Sequence, residues 1–132
     1  MREIKFRGWD KKKKVMGMII DIDFKCKTFW FEWHVSDIRQ GHYILLKDEL
    51  ELMQFTGLLD KNCKEIYEGD IVRMEDPELK ESKLTPYIWE VIFEEPFFHL
   101  QRKFSYGRVT SNMVRLPLEV VGNIYENPEL LK

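Results

Sequence analysis

The chain has 132 residues, of which 44% are hydrophobic and 14% aromatic, and its formal net charge is -2. This length suits one domain or two very small ones, and the apolar content excludes a disordered tail. The charge balance argues against a strongly basic protein that packages nucleic acid. We expect neither a signal peptide nor a membrane span, because the first residues are charged and the apolar runs are short. Cys26 and Cys63 fit free thiols in a reducing cytosol, so we expect a cytoplasmic protein.

A period of two in hydrophobicity dominates the chain, and it predicts a mainly β protein. Residues 36–47 are ambiguous, since Ser36 could cap a short helical turn that Gly41 would soon end. Asn127 followed by Pro128 predicts a short helical turn near the C-terminus. Strands are predicted at residues 4–9, 15–20, 24–34, 50–55, 70–74, 87–94, 97–101 and 118–124.

Short strands with frequent turn signals favour an all-β barrel or a small sandwich. Residues 51–132 contain enough strands to close a barrel. Residues 75–86 contain two prolines and six charged residues, and we interpret them as a charged excursion loop. Residues 1–50 would add hairpins that pack on the barrel, either as a β-hairpin extension or as a small lobe.

Three blocks of the chain carry a recognisable pattern. They are MREIKFRGWD at residues 1–10, QFTGLLDKNCKEIYEGDIV at residues 54–72 and EVVGNIYENPELL at residues 119–131. In this order they resemble the YopX family, small proteins of bacteriophages and prophages. The resemblance implies an SH3-like β-barrel in the C-terminal part and a phage or prophage origin. It supplies no catalytic residues, because the family has no established biochemical role.

The central block departs from the resembled family at one position. The family turn usually reads Asp-Lys-Asn-Gly-Lys, whereas Cys63 occupies the glycine position here. Glycine is favoured where the backbone is left-handed, and another residue costs roughly 1–2 kcal/mol there. We therefore predict a positive φ at Cys63, and we expect Cys63→Gly to raise thermal stability or leave it unchanged.

No spacing in the sequence is typical of a metal site or of catalysis, so we expect no metal, no cofactor and no enzymatic activity. The motifs C-x-x-C, H-x-x-x-H and G-x-S-x-G are all absent. Glu94 and Glu95 are adjacent acids, but they lie in an apparent hairpin turn where exposed charge is expected. The scattered metal-ligand types are His34, His42, His99, Cys26 and Cys63.

The basic segment 99–117 is a candidate nucleic-acid site, since it contains four basic residues and no acidic one. Cations that bind phosphates beside rings that stack on bases are the chemistry of single-strand binding. The alternative, which we favour, is that these cations cover a solvated strand face. Residues 1–14 are also basic, but the lysines at 11–14 are typical of a hairpin tip. The candidate residues are Arg102, Lys103, Phe104, Tyr106, Arg108 and Arg115.

A dense aromatic cluster in residues 29–33 is a candidate protein interface, because aromatic residues are enriched in interface cores. The alternative is that these rings fill the core of a small N-terminal lobe. We expect a small binding or adaptor module for a phage or host protein partner, with nucleic-acid binding in phage DNA metabolism as the second hypothesis. A flat edge strand would also allow pairing with a second copy of the chain. The cluster comprises Phe29, Trp30, Phe31 and Trp33.

Overall fold

The structure is a computed structural model, and it describes residues 3–45, 50–74, 88–113 and 117–131. The chain is mainly β, as the sequence predicts. The predicted excursion loop 75–86 and the candidate residue Arg115 lie outside the described residues. In chain order the elements are β1 (Phe6–Asp10), β2 (Val15–Asp23), β3 (Thr28–Val35), β4 (Ile38–Leu45), β5 (Leu50–Leu59), β6 (Glu65–Tyr67), β7 (Asp70–Met74), β8 (Ile88–Glu94), β9 (Phe97–Phe104), β10 (Gly107–Ser111), β11 (Leu118–Asn123) and a 3-10 helix (Pro128–Leu131).

The strands form two antiparallel sheets. The first has the order β4-β3-β2-β1-β5-β6 and the second the order β10-β9-β8-β7-β11. The chain also divides into two compact units, Met1–Phe55 and Thr56–Lys132. The division falls inside β5, whereas the sequence-based boundary at 50/51 lies at the beginning of that strand.

The closed barrel expected in the C-terminal part is not formed, and the expectation is corrected to an open sheet. In the described part of the chain, β10 and β11 are the outer strands of the second sheet. A turn covers the outer edge of β11: Lys61 N–H donates to the carbonyl oxygen of Leu118 at 2.8 Å, and Val120 N–H donates to Asp60 Oδ2 at 3.0 Å. Strand number alone did not determine closure, because a barrel also requires matching strand tilt and shear.

The first unit has a core on one face of its sheet. Phe29, Phe31 and Ile19 are buried there. Gly17 leaves room for this packing, because a Cβ at that position would lie 2.6 Å from the ring of Phe31. The ambiguous residues 36–47 contain β4, which is a strand because it pairs with β3 along its length. The half-buried residues that pack against this core are Phe6, Val15, Ile22, Trp33 and Leu50.

The second unit has its own core, which residues of the five-stranded sheet form together with Ile66 of β6 and Met113 after β10. Alternate residues of β8 and β9 point into this core, as the period of two predicts. A 3-10 helix forms at Pro128–Leu131, where the sequence predicts a helical turn. The buried core residues are Ile66, Val72, Met74, Trp89, Val91, Leu100, Met113 and Leu118.

Candidate interaction surfaces

The distinctive block 54–72 runs from the end of β5 through β6 into β7, and one aspartate stabilises its turn at residues 60–64. Asp60 is buried, and its Oδ1 accepts hydrogen bonds from Asn62 N–H at 2.8 Å and Lys64 N–H at 2.9 Å, while Oδ2 accepts from Val120 N–H. Burial alone would raise the pKa of Asp60, but these backbone hydrogen bonds, aided by the charge of Lys64, lower it. Asp60 therefore stabilises the backbone of this turn.

Cys63 lies in this turn with φ 63, in the left-handed region. The prediction of a positive φ at this position is confirmed. The side chain is exposed, as is the other cysteine, Cys26. Because an L-residue with a Cβ is strained in this region, Cys63 carries a backbone cost that glycine would avoid.

Other buried polar side chains of the second unit also bind backbone groups. Asp70 Oδ2 accepts from Tyr67 N–H at 2.8 Å. Asn123 Oδ1 accepts from Tyr125 N–H at 3.0 Å and Glu126 N–H at 2.9 Å. Such bonds compensate the cost of burying a polar group, so these residues shape turns.

The candidate nucleic-acid residues of β9 are distributed over both faces of the second sheet. Side chains alternate between the two faces along a strand. Arg102 and Phe104 therefore lie on the same face as the buried Leu100, and Lys103 lies on the opposite face. A guanidinium nitrogen of Arg102 lies 3.4 Å from the carbonyl oxygen of Leu130 in the C-terminal 3-10 helix. The structure therefore does not gather the cations of this strand on one surface.

Arg108 is exposed, and its guanidinium binds a carboxylate. Its two terminal nitrogens donate to Glu94 at 2.6 and 2.8 Å, and one also lies 3.3 Å from Gln101 Oε1. His99 Nε2 lies 3.2 Å from the same glutamate, and Gln101 Nε2 lies 3.4 Å from Glu90 Oε2. We call Glu90, Glu94, His99, Gln101 and Arg108 the polar network.

Hydrogen bonding within the polar network shifts the pKa values of Glu94 and Arg108. The hydrogen bond from Arg108 lowers the pKa of Glu94, and the reciprocal bond raises the pKa of Arg108. Sequence reasoning missed this pairing, because Glu94 belongs to β8 and Arg108 to β10. The available signal was the acidic alternation of Glu90 with Glu94 on β8, which β9 separates from β10.

The aromatic members of the candidate nucleic-acid set do form an exposed feature. The rings of Phe104 and Tyr106 stack with centroids 5.3 Å apart and an interplanar angle of 5°. Tyr106 is 84% exposed in the turn between β9 and β10. The side chain of Lys103, which precedes Phe104 in β9, is exposed.

The candidate aromatic interface is divided between core and surface. Phe29 and Phe31 are buried in the first unit. Trp33 stacks on Phe31 with centroids 5.4 Å apart. Trp30 lies on the opposite face of β3, where its Nε1 donates to Glu32 Oε1 at 2.9 Å. For the two phenylalanines, the structure agrees with the alternative that the rings fill a core.

An apolar pair that sequence reasoning missed is exposed beyond these rings. Val35 and Ile38 are directly paired at the end of the β3–β4 hairpin, and they are 55% and 65% exposed. They continue the face of β3 that carries Trp33. The ambiguity of residues 36–47 hid the pair, because only the hairpin register places Ile38 beside Val35.

A lysine-rich turn lies at the same end of the first sheet. Residues 11–14 connect β1 to β2, and Lys13 Nζ lies 4.5 Å from the centroid of a Trp33 ring. His42 of β4 also contacts this ring edge-on, with centroids 4.9 Å apart. We call the lysines of residues 11–14 together with Trp33, Val35 and Ile38 the hairpin-end surface.

Asp10 holds the lysine-rich turn in place. It is buried, and its Oδ1 accepts hydrogen bonds from Lys12 N–H at 2.9 Å and Lys13 N–H at 3.0 Å. Lys14 N–H donates to the carbonyl oxygen of Asp10 at 2.7 Å. Asp10 Oδ2 lies 3.8 Å from His42 Nε2, so the turn is also close to β4.

Two further features are absent from the described residues, a metal site and a membrane-spanning helix. Within residues 3–45, 50–74, 88–113 and 117–131, no group of three His, Cys, Asp or Glu side chains could hold a metal ion. In the same part of the chain, no helix is long and apolar enough to cross a membrane.

The fold and these surfaces define the class as a small, mainly β protein built from two antiparallel sheets. The family model described as YopX protein matches residues 5–132, and the chain belongs to this family. The crystal structure of protein EF1440 from Enterococcus faecalis is 25% identical, with a TM-score of 0.67 over 100% of both chains. The crystal structure of yopX from Bacillus subtilis is 22% identical, with a TM-score of 0.56 over 100% of this chain and 98% of that one, and it shows the fold alone. No curated protein matches the chain.

Proposed function

We propose that this protein is a small, non-enzymatic binding module that acts on a protein partner in the cytoplasm of a bacterium carrying it as a phage or prophage gene. The observation that carries the proposal is the exposed pair of Val35 and Ile38 at the end of a hairpin. The two exposed cysteines, Cys26 and Cys63, support a reducing compartment.

Exposed aliphatic side chains at a hairpin end support binding to a protein. Turn regions are ordinarily polar, and apolar groups grouped at a surface mark interaction sites. Val35 and Ile38 lie beside Trp33, so the exposed pair continues an apolar face. A partner that covers these groups would remove apolar area from water, which contributes roughly 25 cal/mol per Å² before the costs of association.

The use of the buried polar groups supports binding in preference to catalysis. Asp10, Asp60, Asp70 and Asn123 each accept hydrogen bonds from backbone N–H groups. A catalytic acid or base instead needs to reach a substrate proton. These four side chains are therefore engaged in holding turns.

A photo-crosslinking residue at position 38 tests the proposal in bacterial host cells. We expect a discrete protein adduct from position 38, and we expect it to weaken when Val35→Thr is introduced as well. The matched control places the same group at Phe24, which is 85% exposed in the turn between β2 and β3. Equal labelling from positions 24 and 38, or no adduct from position 38, would contradict a specific protein-binding surface.

Nucleic-acid binding is the second candidate function, and the stacked pair of Phe104 and Tyr106 favours it. Exposed rings offer a surface on which bases can stack. The hydrogen bonds from Arg108 to Glu94 count against it, because a guanidinium held by a carboxylate contributes less to phosphate binding. We therefore rank it below protein binding.

A salt-titrated binding assay with single- and double-stranded DNA and RNA separates the two functions. Salt-sensitive binding that is lost in Arg102→Ala with Arg108→Ala, and in Tyr106→Ala, would support the nucleic-acid function. The absence of binding at low salt would eliminate it. The matched control is Lys25→Ala with Lys27→Ala, which removes two exposed cations from the first unit.

A further inference from the structure

The hairpin-end surface is continuous with the free edge of a sheet. β4 (Ile38–Leu45) is the outer strand of the first sheet and pairs with β3. Within the described ranges, no strand pairs with its other side. An edge strand presents a row of backbone N–H and C=O groups on which another strand can assemble. Ile38 is the first residue of β4, so the edge begins at the exposed apolar pair.

The charge at this end of the sheet is predominantly positive, with the exposed Asp37 of the β3–β4 turn as one opposing charge. Four consecutive lysines form the turn at residues 11–14, with no acidic residue between Asp10 and Val15. Lys11 Nζ pairs with Glu51 Oε1 at 2.7 Å. Arg39 adds an exposed cation on β4 itself, 3.9 Å from Glu32. A partner strand arriving here is attracted if it carries acidic side chains.

The apolar groups of this surface favour a peptide over a nucleic acid. The Trp33 ring is already in contact with Phe31, His42 and Lys13. The exposed apolar groups are the aliphatic side chains of Val35 and Ile38, which supply no ring for bases to stack on. A lipid surface is also disfavoured, because it would leave the backbone groups of the β4 edge without hydrogen-bond partners.

We propose that the free edge of β4 accepts an extended segment of a partner protein as an added strand. Acidic residues of that segment are attracted by Arg39 on β4 and by the lysine-rich turn, which begins two strands away from β4, and its alternate apolar residues pack beside Ile38, which adjoins Val35. Backbone hydrogen bonds provide affinity in this mode, and alternate side chains provide specificity. The inference deepens the protein-binding function and rests on it, since it names the chemical class of the partner.

The test measures fluorescence anisotropy of labelled peptides on the full chain. The first peptide alternates Glu with Val or Ile. A second replaces each Glu by Lys, and a third keeps the acidic sequence but carries N-methyl groups on alternate backbone nitrogens. We expect the acidic peptide to bind, and we expect both other peptides to bind about tenfold or more weakly, because they lose charge complementarity or strand pairing.

Protein variants locate the binding. Val35→Thr with Ile38→Thr keeps two β-branched residues but removes their apolar character. Lys12→Gln with Lys14→Gln removes two charges from the lysine-rich turn. We expect each double variant to weaken binding of the acidic peptide by about tenfold, and only the lysine variant to reduce its salt dependence.

The turn between β2 and β3 provides a matched control at the other end of the sheet. Asp23 Oδ1 accepts from Lys25 N–H and Cys26 N–H, both at 2.9 Å, as Asp10 does in the lysine-rich turn. Lys27 has φ 55, close to the φ of 56 at Lys14. Lys25→Gln with Lys27→Gln therefore makes the same charge change in the same kind of turn, and we expect unchanged binding.

Three results would overturn strand addition. Equal binding of the N-methylated peptide would show that the β4 edge is not used. A dimer in sedimentation that is lost in the Val35 and Ile38 variant would assign the surface to a second copy. Binding of single-stranded DNA or of anionic phosphatidylglycerol vesicles, lost in the lysine variant while the acidic peptide does not bind, would assign it to another anion.

These failures are distinguishable from failure of the proposed function. If strand addition fails but the crosslink from position 38 still depends on Val35, a folded protein surface is the partner and the proposed function stands. If neither peptide binding nor crosslinking depends on Val35 and Ile38, both proposals are wrong.

Discussion

Two turns of this protein are stabilised by the same local arrangement of hydrogen bonds. In each, a buried aspartate, Asp10 or Asp60, accepts hydrogen bonds from backbone N–H groups that follow it. Each turn also holds one non-glycine residue with positive φ, Lys14 at 56 and Cys63 at 63. The donors are the N–H groups of Lys12 and Lys13 in the first turn and of Asn62 and Lys64 in the second.

The two turns differ in the contact that Oδ2 of the aspartate makes. Asp60 Oδ2 accepts a hydrogen bond from Val120 N–H, so the turn fastens the outer edge of β11. Asp10 Oδ2 lies 3.8 Å from His42, and its turn projects four lysines from the end of a sheet. The more distinctive sequence therefore marks the turn that stabilises the fold. The plainer lysine run belongs to the surface that we propose for binding.

The largest effect expected from this comparison is at Asp60. Asp60→Ala leaves the N–H groups of Asn62, Lys64 and Val120 without their acceptor. We expect the free energy of unfolding to fall by roughly 2–3 kcal/mol, measured by urea denaturation. Asp60→Asn is the matched control, since it keeps one acceptor oxygen and should cost less. An equal loss in both variants would show that the carboxylate charge, not the acceptor geometry, is what the turn requires.

The carboxylate of Asp60 makes a pH-dependent contribution to the free energy of unfolding. Its pKa is lowered from the ordinary value of 3.8 in the folded chain. The contribution is therefore fully present above the unfolded value and is lost as pH falls through the lower folded value. We expect the stability difference between the protein and Asp60→Asn to shrink when urea denaturation is repeated at decreasing pH below 3.8. A difference that stays constant over this range would contradict the assigned role.

A smaller effect is expected at Asp10. Asp10→Ala frees the N–H groups of Lys12 and Lys13, but these lie in a turn whose residues are exposed, so water can replace the carboxylate. We expect a loss of about 1 kcal/mol in urea denaturation, together with weaker binding of the acidic peptide. A loss as large as that of Asp60→Ala would remove the distinction between the two turns.

The smallest effects are expected where the backbone is left-handed. Cys63→Gly and Lys14→Gly relieve the strain of a Cβ at positive φ but add backbone freedom to the unfolded chain. We expect each to raise the free energy of unfolding by up to about 1 kcal/mol or to leave it unchanged. Cys63→Ala keeps the Cβ and is the control. A clear loss of stability in Cys63→Gly would show that the turn depends on the cysteine side chain.

Much of the fold follows from local patterns in the chain. Alternating segments predict most of the strands, because side chains of a strand point to opposite faces. The C-terminal 3-10 helix forms where Asn127 and Pro128 predict a helical turn. The positive φ of Cys63 was also predictable, because turn geometry is set by a few neighbouring residues.

The candidate sites were much less predictable. Neutralisation of Arg108 by Glu94 requires residues from two different strands to meet, and burial of Phe29 and Phe31 requires a filled face of the sheet. The position of the exposed Ile38 beside the exposed Val35 follows only from the hairpin register. In each case, spacing along the chain does not specify the partner.

The sequence by itself determined the family, the β class, most strand positions and the chemistry of the turns, because each depends on residues close together in the chain. Only the tertiary structure decided that the C-terminal sheet is open and that the turn at Asp60 covers β11. It alone also decided which cations are paired and which apolar groups remain exposed. These outcomes depend on strand register and burial, which join residues that are distant in the chain.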